Sequence, residues 1–158
     1  MANQEDAIIS EPEINFYHLT TTPKMVALPK LLEKCLETKL NSCVYFNDLN
    51  IMEEVSAYLW SYSSMTIIPH GKDYEEYAKV QPIILTDKYI NAENNAKIAI
   101  NFDITAEILE GYNKIIFLFD GNDNNELKLA REKWKIFKNE NRVIFYWKQD
   151  EKGGWSKQ

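Results

Sequence analysis

Apolar residues fall along the chain in short blocks whose spacing alternates between two kinds. Ile14–Thr20 (INFYHLT), Ser42–Phe46 (SCVYF), Met65–Pro69, Pro82–Thr86, Lys97–Phe102, Lys114–Asp120 (KIIFLFD) and Arg142–Lys148 (RVIFYWK) are compact and rich in β-branched and aromatic residues. They read as strands. KIIFLFD is apolar almost without a break, which marks a central strand covered on both faces. Between the blocks, apolar residues recur at three and four positions. Leu28, Leu31, Leu32, Cys35 and Leu36 predict a helix from Thr22-Pro23 to about Leu40, with Thr22 as N-cap and regular turns only from near Pro29. Met52, Val55, Leu59 and Trp60 predict a helix over Leu49–Tyr62. A third, Glu126–Lys138, follows a turn at Gly121–Asn125. The polar segments GKDYEEYAKV (71–80) and YINAENNA (89–96) read as loops, and so does the tail after Lys148 with its Gly153-Gly154 pair.

Strands alternating with helices predict an α/β sandwich on a mostly parallel sheet. At 158 residues the chain makes one domain and buries a core without staples. Residues 1–13 hold Glu5, Asp6, Glu11 and Glu13 and no base, and read as a mobile acidic tail ahead of a single domain at 14–158. The composition, 45% hydrophobic and 27% charged, excludes a disordered or fibrous chain. No apolar run reaches the roughly 20 residues of a membrane helix, and the N-terminus lacks signal-peptide regions. With two cysteines, Cys35 and Cys43, the chain reads as cytoplasmic and reduced. The net charge of −6 argues against a nucleic-acid binder that uses its whole surface.

An α/β sheet invites a search for nucleotide chemistry. Neither G-x-G-x-x-G nor G-x-x-x-x-G-K-[ST] occurs, and DGND at 120–123 would repel phosphate. Asp120 reads as a turn or capping residue. His18 and His70 stand alone, no C-x-x-C is present, and no G-x-S-x-G supports a nucleophile. The chain therefore reads as non-catalytic on its own, with no cofactor and no metal.

Two features remain. Projected on a helix, Lys128, Arg131, Lys135 and Lys138 share a stripe about 80° wide, bordered by Leu127, Ala130, Trp134 and Phe137. Residues 128–138 hold five bases against Glu132. The bland reading is a solvated face whose cations favour the helix C-terminus. The functional one is a surface for an acidic peptide with an apolar anchor, a free carboxylate, or phosphates. The second feature is Trp60 with SMTIIPHG (64–71), either core or an apolar patch for a protein partner.

Several segments together resemble one family: FYHL (16–19), LPKLLEKCL (28–36), LW…IPHG (59–71), QPIILT (81–86), FLFDGND (117–123), LAREKWKIFK (129–138) and YWKQDEKGGWSK (146–157). In order and spacing they are similar to the chi subunits of bacterial DNA polymerase III, from about Ile14 to the end. The resemblance implies a Rossmann-like three-layer sandwich, helices on both faces of a mostly parallel sheet, with no nucleotide-binding loop. It implies a non-catalytic accessory subunit in DNA replication, linking the clamp loader, through psi, to the acidic C-terminal tail of single-stranded-DNA-binding protein. Association with single-stranded DNA is then indirect, and no membrane is involved. By position the tail site falls on Arg131, Trp134 and Lys135, with Lys128 and Lys138 nearby. The psi-facing surface falls on Trp60 and Ile67, with Pro69 and His70 adjacent. Ile67 stands where some members carry an aromatic, and residues 1–13 depart from the family pattern. The alternatives are a nucleotide-binding enzyme on a doubly wound sheet and direct nucleic-acid binding through the basic helix.

Overall fold

A computed structural model describes residues 11–158. The acidic residues Glu5 and Asp6 of the expected tail lie outside the described residues. Among the described residues, eight strands form one sheet: β1 (Glu13–Leu19), β2 (Ser42–Tyr45), β3 (Gly71–Lys72), β4 (Ile83–Thr86), β5 (Ile98–Asn101), β6 (Lys114–Asp120), β7 (Ile144–Gln149) and β8 (Trp155–Lys157). Their order is β3-β4-β2-β5-β6-β1-β7-β8, and every pairing is parallel except β7 with β8. β1 lies between β6 and β7, with Phe16 opposite Phe117 on one side and Tyr146 on the other.

Strand alternation sends the buried side chains into two cores. Tyr17, Leu19, Val44, Phe46, Ile116 and Leu118 meet the apolar faces of α1 (Lys24–Glu37) and α2 (Leu49–Ser61). Ile14, Phe16, Tyr45, Ile115, Phe117 and Phe119 meet Ala130 and Phe137 of α3 (Asn124–Asn139), together with the 92–112 segments. The result is the expected Rossmann-like α/β sandwich of three layers. Among the described residues no helix is long and apolar enough to cross a membrane.

Four local expectations are corrected. The helix expected near Pro29 starts at Lys24, and Thr22 does not cap it: Pro23 occupies that position without a side-chain bond. Pro29 lies inside α1 on its buried face, because core packing outweighs the one backbone bond that proline forfeits. Met65–Pro69 is not a strand: Met65, Thr66 and Ile67 stay outside the sheet, and only Ile68 is anchored in the core. The edge is taken instead by Gly71–Lys72, in the segment expected to be a loop. The tail expected after Lys148 contains β8, turned back by Asp150, whose carboxylate accepts from Lys152 N and Gly154 N, and by Gly153 at φ +85°. WSK is too polar to announce a strand, and its pairing with β7 decides it.

Candidate binding surfaces

β1 and β6 are neighbours whose following helices cover opposite faces, the place where open α/β sheets usually take ligands. In this protein that crevice is filled by its own side chains. Lys24, first residue of α1, pairs with Glu126 in the first turn of α3 and donates to the Phe102 carbonyl at 2.9 Å. The other Glu126 oxygen accepts from Asp120 N at 2.7 Å. After β1, the backbone N–H groups of Thr20, Thr21 and Thr22 all donate to Gln149 Oε1, at 3.1, 2.9 and 3.2 Å. Three converging amides would form an anion nest if left open; the buried Gln149 amide closes this one. Asp120 holds the next turn by accepting from Asn122 N, and Asp123 caps α3 through Asn125 N and Glu126 N.

The accessible chemistry lies elsewhere. On α3, Lys128, Arg131, Lys135 and Lys138 are all exposed, and none makes an ion pair among the described residues. The fifth base, Lys133, does not belong with them. It turns inward, donates to the Ala106 carbonyl at 2.9 Å and lies over the Phe117 ring; burial lowers its pKa.

Trp134, beside the exposed stripe, is half-buried. Its ring stands edge-on to Phe16 (5.6 Å) and to Tyr146 of β7 (5.5 Å). Arg131, Trp134, Lys135 and Tyr146 line a shallow cleft of about 280 Å³. Its floor is aromatic and its rim cationic, which suits an apolar group that carries or adjoins a carboxylate.

Tyr146 was not singled out by sequence reasoning; it sat in an apolar run that signalled only a strand. Its hydroxyl is hydrogen-bonded to His18 Nδ1 at 2.7 Å. Burial, then Lys148 and Arg131, lower the His18 pKa, so the ring is neutral at pH 7. Burial raises the Tyr146 pKa. Gly121 makes room for His18: a Cβ there would overlap the imidazole and approach the Leu19 carbonyl to 2.7 Å.

The second surface is at the other end of the sheet. Trp60, at the end of α2, is 58% exposed, and Ile67 is 75% exposed, with Met65 beside it in sequence and also bare. Pro69 is partly covered. His70 departs from the expected surface set: it is only 3% exposed. It stacks beneath Trp60 at 4.2 Å, Nδ1 donates to the Ile68 carbonyl, and Nε2 accepts from Ser56 Oγ. Burial lowers its pKa, which keeps it neutral. It supports the patch from beneath. Tyr77, also exposed and within the 71–80 segment, lines with Trp60 a cleft of about 430 Å³.

Fold and surfaces define a mostly parallel α/β protein whose candidate aromatic and charged surfaces lie on the outer face of α3 with β7 and near the β3 edge, away from the filled strand ends. Residues 12–144 match the family described as DNA polymerase III chi subunit, HolC. A protein of Rickettsia prowazekii (strain Madrid E), "Probable DNA polymerase III subunit chi", is 28% identical over 161 residues, covering 97% of this chain and 96% of its own length. The chain belongs to the DNA polymerase III chi subunit family, a family of DNA replication proteins.

Proposed function

We propose that this protein is a non-catalytic, cytoplasmic accessory subunit of the polymerase III assembly that bridges two partners. The α3–β7 cleft takes the acidic C-terminal tail of single-stranded-DNA-binding protein. The Trp60–Ile67 patch takes psi or its equivalent in the clamp loader. Contact with single-stranded DNA is indirect.

The observation that carries this reading is the cleft between Arg131, Trp134, Lys135 and Tyr146, rimmed by cations without partners of their own among the described residues. An acidic tail ending in an apolar residue with a free carboxylate fits it in three ways. The guanidinium of Arg131 holds a carboxylate bidentately. The edges of Trp134 and Tyr146 receive the apolar side chain. Lys128 and Lys138 draw in the acidic residues upstream, which speeds encounter and makes binding salt-sensitive. A weak, quickly reversed contact suits a bridge that forms and releases with each lagging-strand cycle.

The test is calorimetry with the tail peptide of the cognate single-stranded-DNA-binding protein, the same peptide without its last residue, and a single-stranded oligonucleotide. The full peptide should bind, more weakly as salt rises, and the truncated one should bind poorly. Tighter binding of the oligonucleotide than of the peptide would assign α3 to nucleic acid instead.

A further inference from the structure

The cleft beside Trp60 is negative as well as aromatic. Among the residues that line it, Glu75 and Glu76 are acidic and none is Lys or Arg. Glu75 is engaged through one oxygen, Oε1, which accepts from Lys72 N at 2.7 Å. Glu76 is exposed and makes no ion pair among the described residues. Of the bases nearest in sequence, Lys72 is held through Nζ by Glu53 Oε2 at 2.8 Å, and Lys79 does not line the cleft.

The aromatic groups and the helix add to this field. Trp60 is stacked on His70 and still more than half exposed, and Tyr77 is 66% exposed. The faces of such rings attract a cation, and the His70 ring beneath, held neutral by burial, brings no opposing charge. Trp60 also lies in the last turn of α2, which contains no base, so the negative end of that helix dipole has no cation of its own. A purely apolar partner would cover these carboxylates and desolvate them without compensation, which is costly. A partner that brings a cation removes that cost. Arginine suits the cleft better than lysine: its planar guanidinium stacks on an aromatic ring and holds a carboxylate through two N–H groups, whereas an ammonium is a strongly hydrated point charge.

We propose that this cleft receives the arginine side chain of a partner segment, with the guanidinium against the Trp60 and Tyr77 rings and paired to the Glu75 and Glu76 carboxylates. That the segment belongs to psi or its equivalent rests on the function proposed above; the cation site does not. The arginine supplies the direction that the bare apolar side chains of Met65 and Ile67 lack.

The cation site is tested first, on the full chain, by NMR titration with N-acetyl-arginine methylamide and its lysine and leucine counterparts. The readouts are the Trp60 indole N–H, identified with Trp60→Phe, and the Gly71 amide. The arginine probe should shift both at millimolar concentration, less as salt rises; the lysine probe should bind more weakly and the leucine probe should leave both in place. The double variant Glu75→Gln, Glu76→Gln and the single variant Tyr77→Ala should each bind the arginine probe about two- to fivefold more weakly, with melting temperatures that show them folded. Equal shifts from the leucine probe, or native affinity in the double variant, overturn the proposal; equal binding of the lysine probe overturns the guanidinium assignment. The second measurement is the affinity of the native and double-variant chains for cognate psi, which should fall in the variant at low salt. An arginine probe that binds while psi binds neither chain, or both equally, supports the cation site and overturns psi as the source of the arginine. No response to the arginine probe, with equal psi affinity in both chains, overturns the proposal and leaves the psi surface standing.

Discussion

The two surfaces differ in what builds them. On α3 the cations come from a single helix, and periodicity alone aligns Lys128, Arg131, Lys135 and Lys138. Their aromatic floor is rooted in the core: Trp134 touches Phe16, which is fully buried and also lies against Phe117, Phe137 and Tyr146. The Trp60 surface has no such footing. It is the end of α2 and a strap that stays outside the sheet, resting on one buried histidine. A charged, core-backed cleft offers directional recognition of a carboxylate. A bare apolar patch offers burial area and little orientation. One protein thus presents two surfaces of different chemistry.

The comparison breaks most visibly on stability. Phe16→Ala empties a site under the α3 cleft and should lower unfolding free energy by about 3–5 kcal/mol. Trp60→Ala removes an exposed ring and one stacking contact and should cost about 1 kcal/mol or less. Denaturant melts of the two variants check this; equal losses would make Trp60 a core residue.

Next in size is Gln149→Ala. It leaves the Thr20, Thr21 and Thr22 N–H groups without their shared acceptor and should cost about 1–3 kcal/mol. The loss falls on the side of the molecule that holds β7. Hydrogen exchange should therefore speed up at residues 20–22 and around Tyr146 while the Trp60 end is unchanged.

Binding separates the surfaces in both directions. Arg131→Ala should weaken tail-peptide binding by about 1.5–3 kcal/mol, and Lys138→Ala by about 0.2–1 kcal/mol. Neither should affect psi. Trp60→Ala and Ile67→Asp should do the reverse, because the surfaces share no residues. Titrations of each variant with both partners would expose any coupling.

The smallest effect is in the two histidines, one behind each surface. Both have pKa values lowered in the folded chain, His18 by burial, Lys148 and Arg131, and His70 chiefly by burial. Below about pH 6.5 the unfolded chain therefore binds protons that the folded chain refuses, and stability falls as pH falls. NMR titration should distinguish the two rings. High salt or Arg131→Ala should raise the His18 pKa by removing repulsion, and leave His70 where it is. A His18 ring that moves with neither change would owe its lowered pKa to burial and not to Lys148 and Arg131.

Most strands, all three helices and the basic stripe were legible in the sequence, for one physical reason. A strand's two-residue period and a helix's 3.6-residue period convert linear order into shared faces within one element. Arg131 and Lys135 must share a face wherever α3 is placed. Periodicity does not say what meets that face. Tyr146 completes the cleft, held by a hydrogen bond to His18 128 positions away, because β7 lies beside β1. Gln149 closes the β1 loop across a similar separation. Lys133 was only counted among the five bases of 128–138; periodicity sets it off the stripe, and what receives it there, the Ala106 carbonyl, is decided by a distant segment.

The Met65–Pro69 run marks the limit from the other side. Its apolar letters predicted a strand and left core and exposed patch both open, because burial belongs to a place and not to a residue type. Strand β3 takes the sheet edge and Ile68 takes the available core space, so Met65 and Ile67 are left outside. By itself the sequence determined which elements form and which residues share a face, because those depend on local backbone geometry. Only the tertiary structure decided which faces are covered, which crevice is filled and which aromatic rings remain at the surface, because those depend on contacts between segments far apart in the chain.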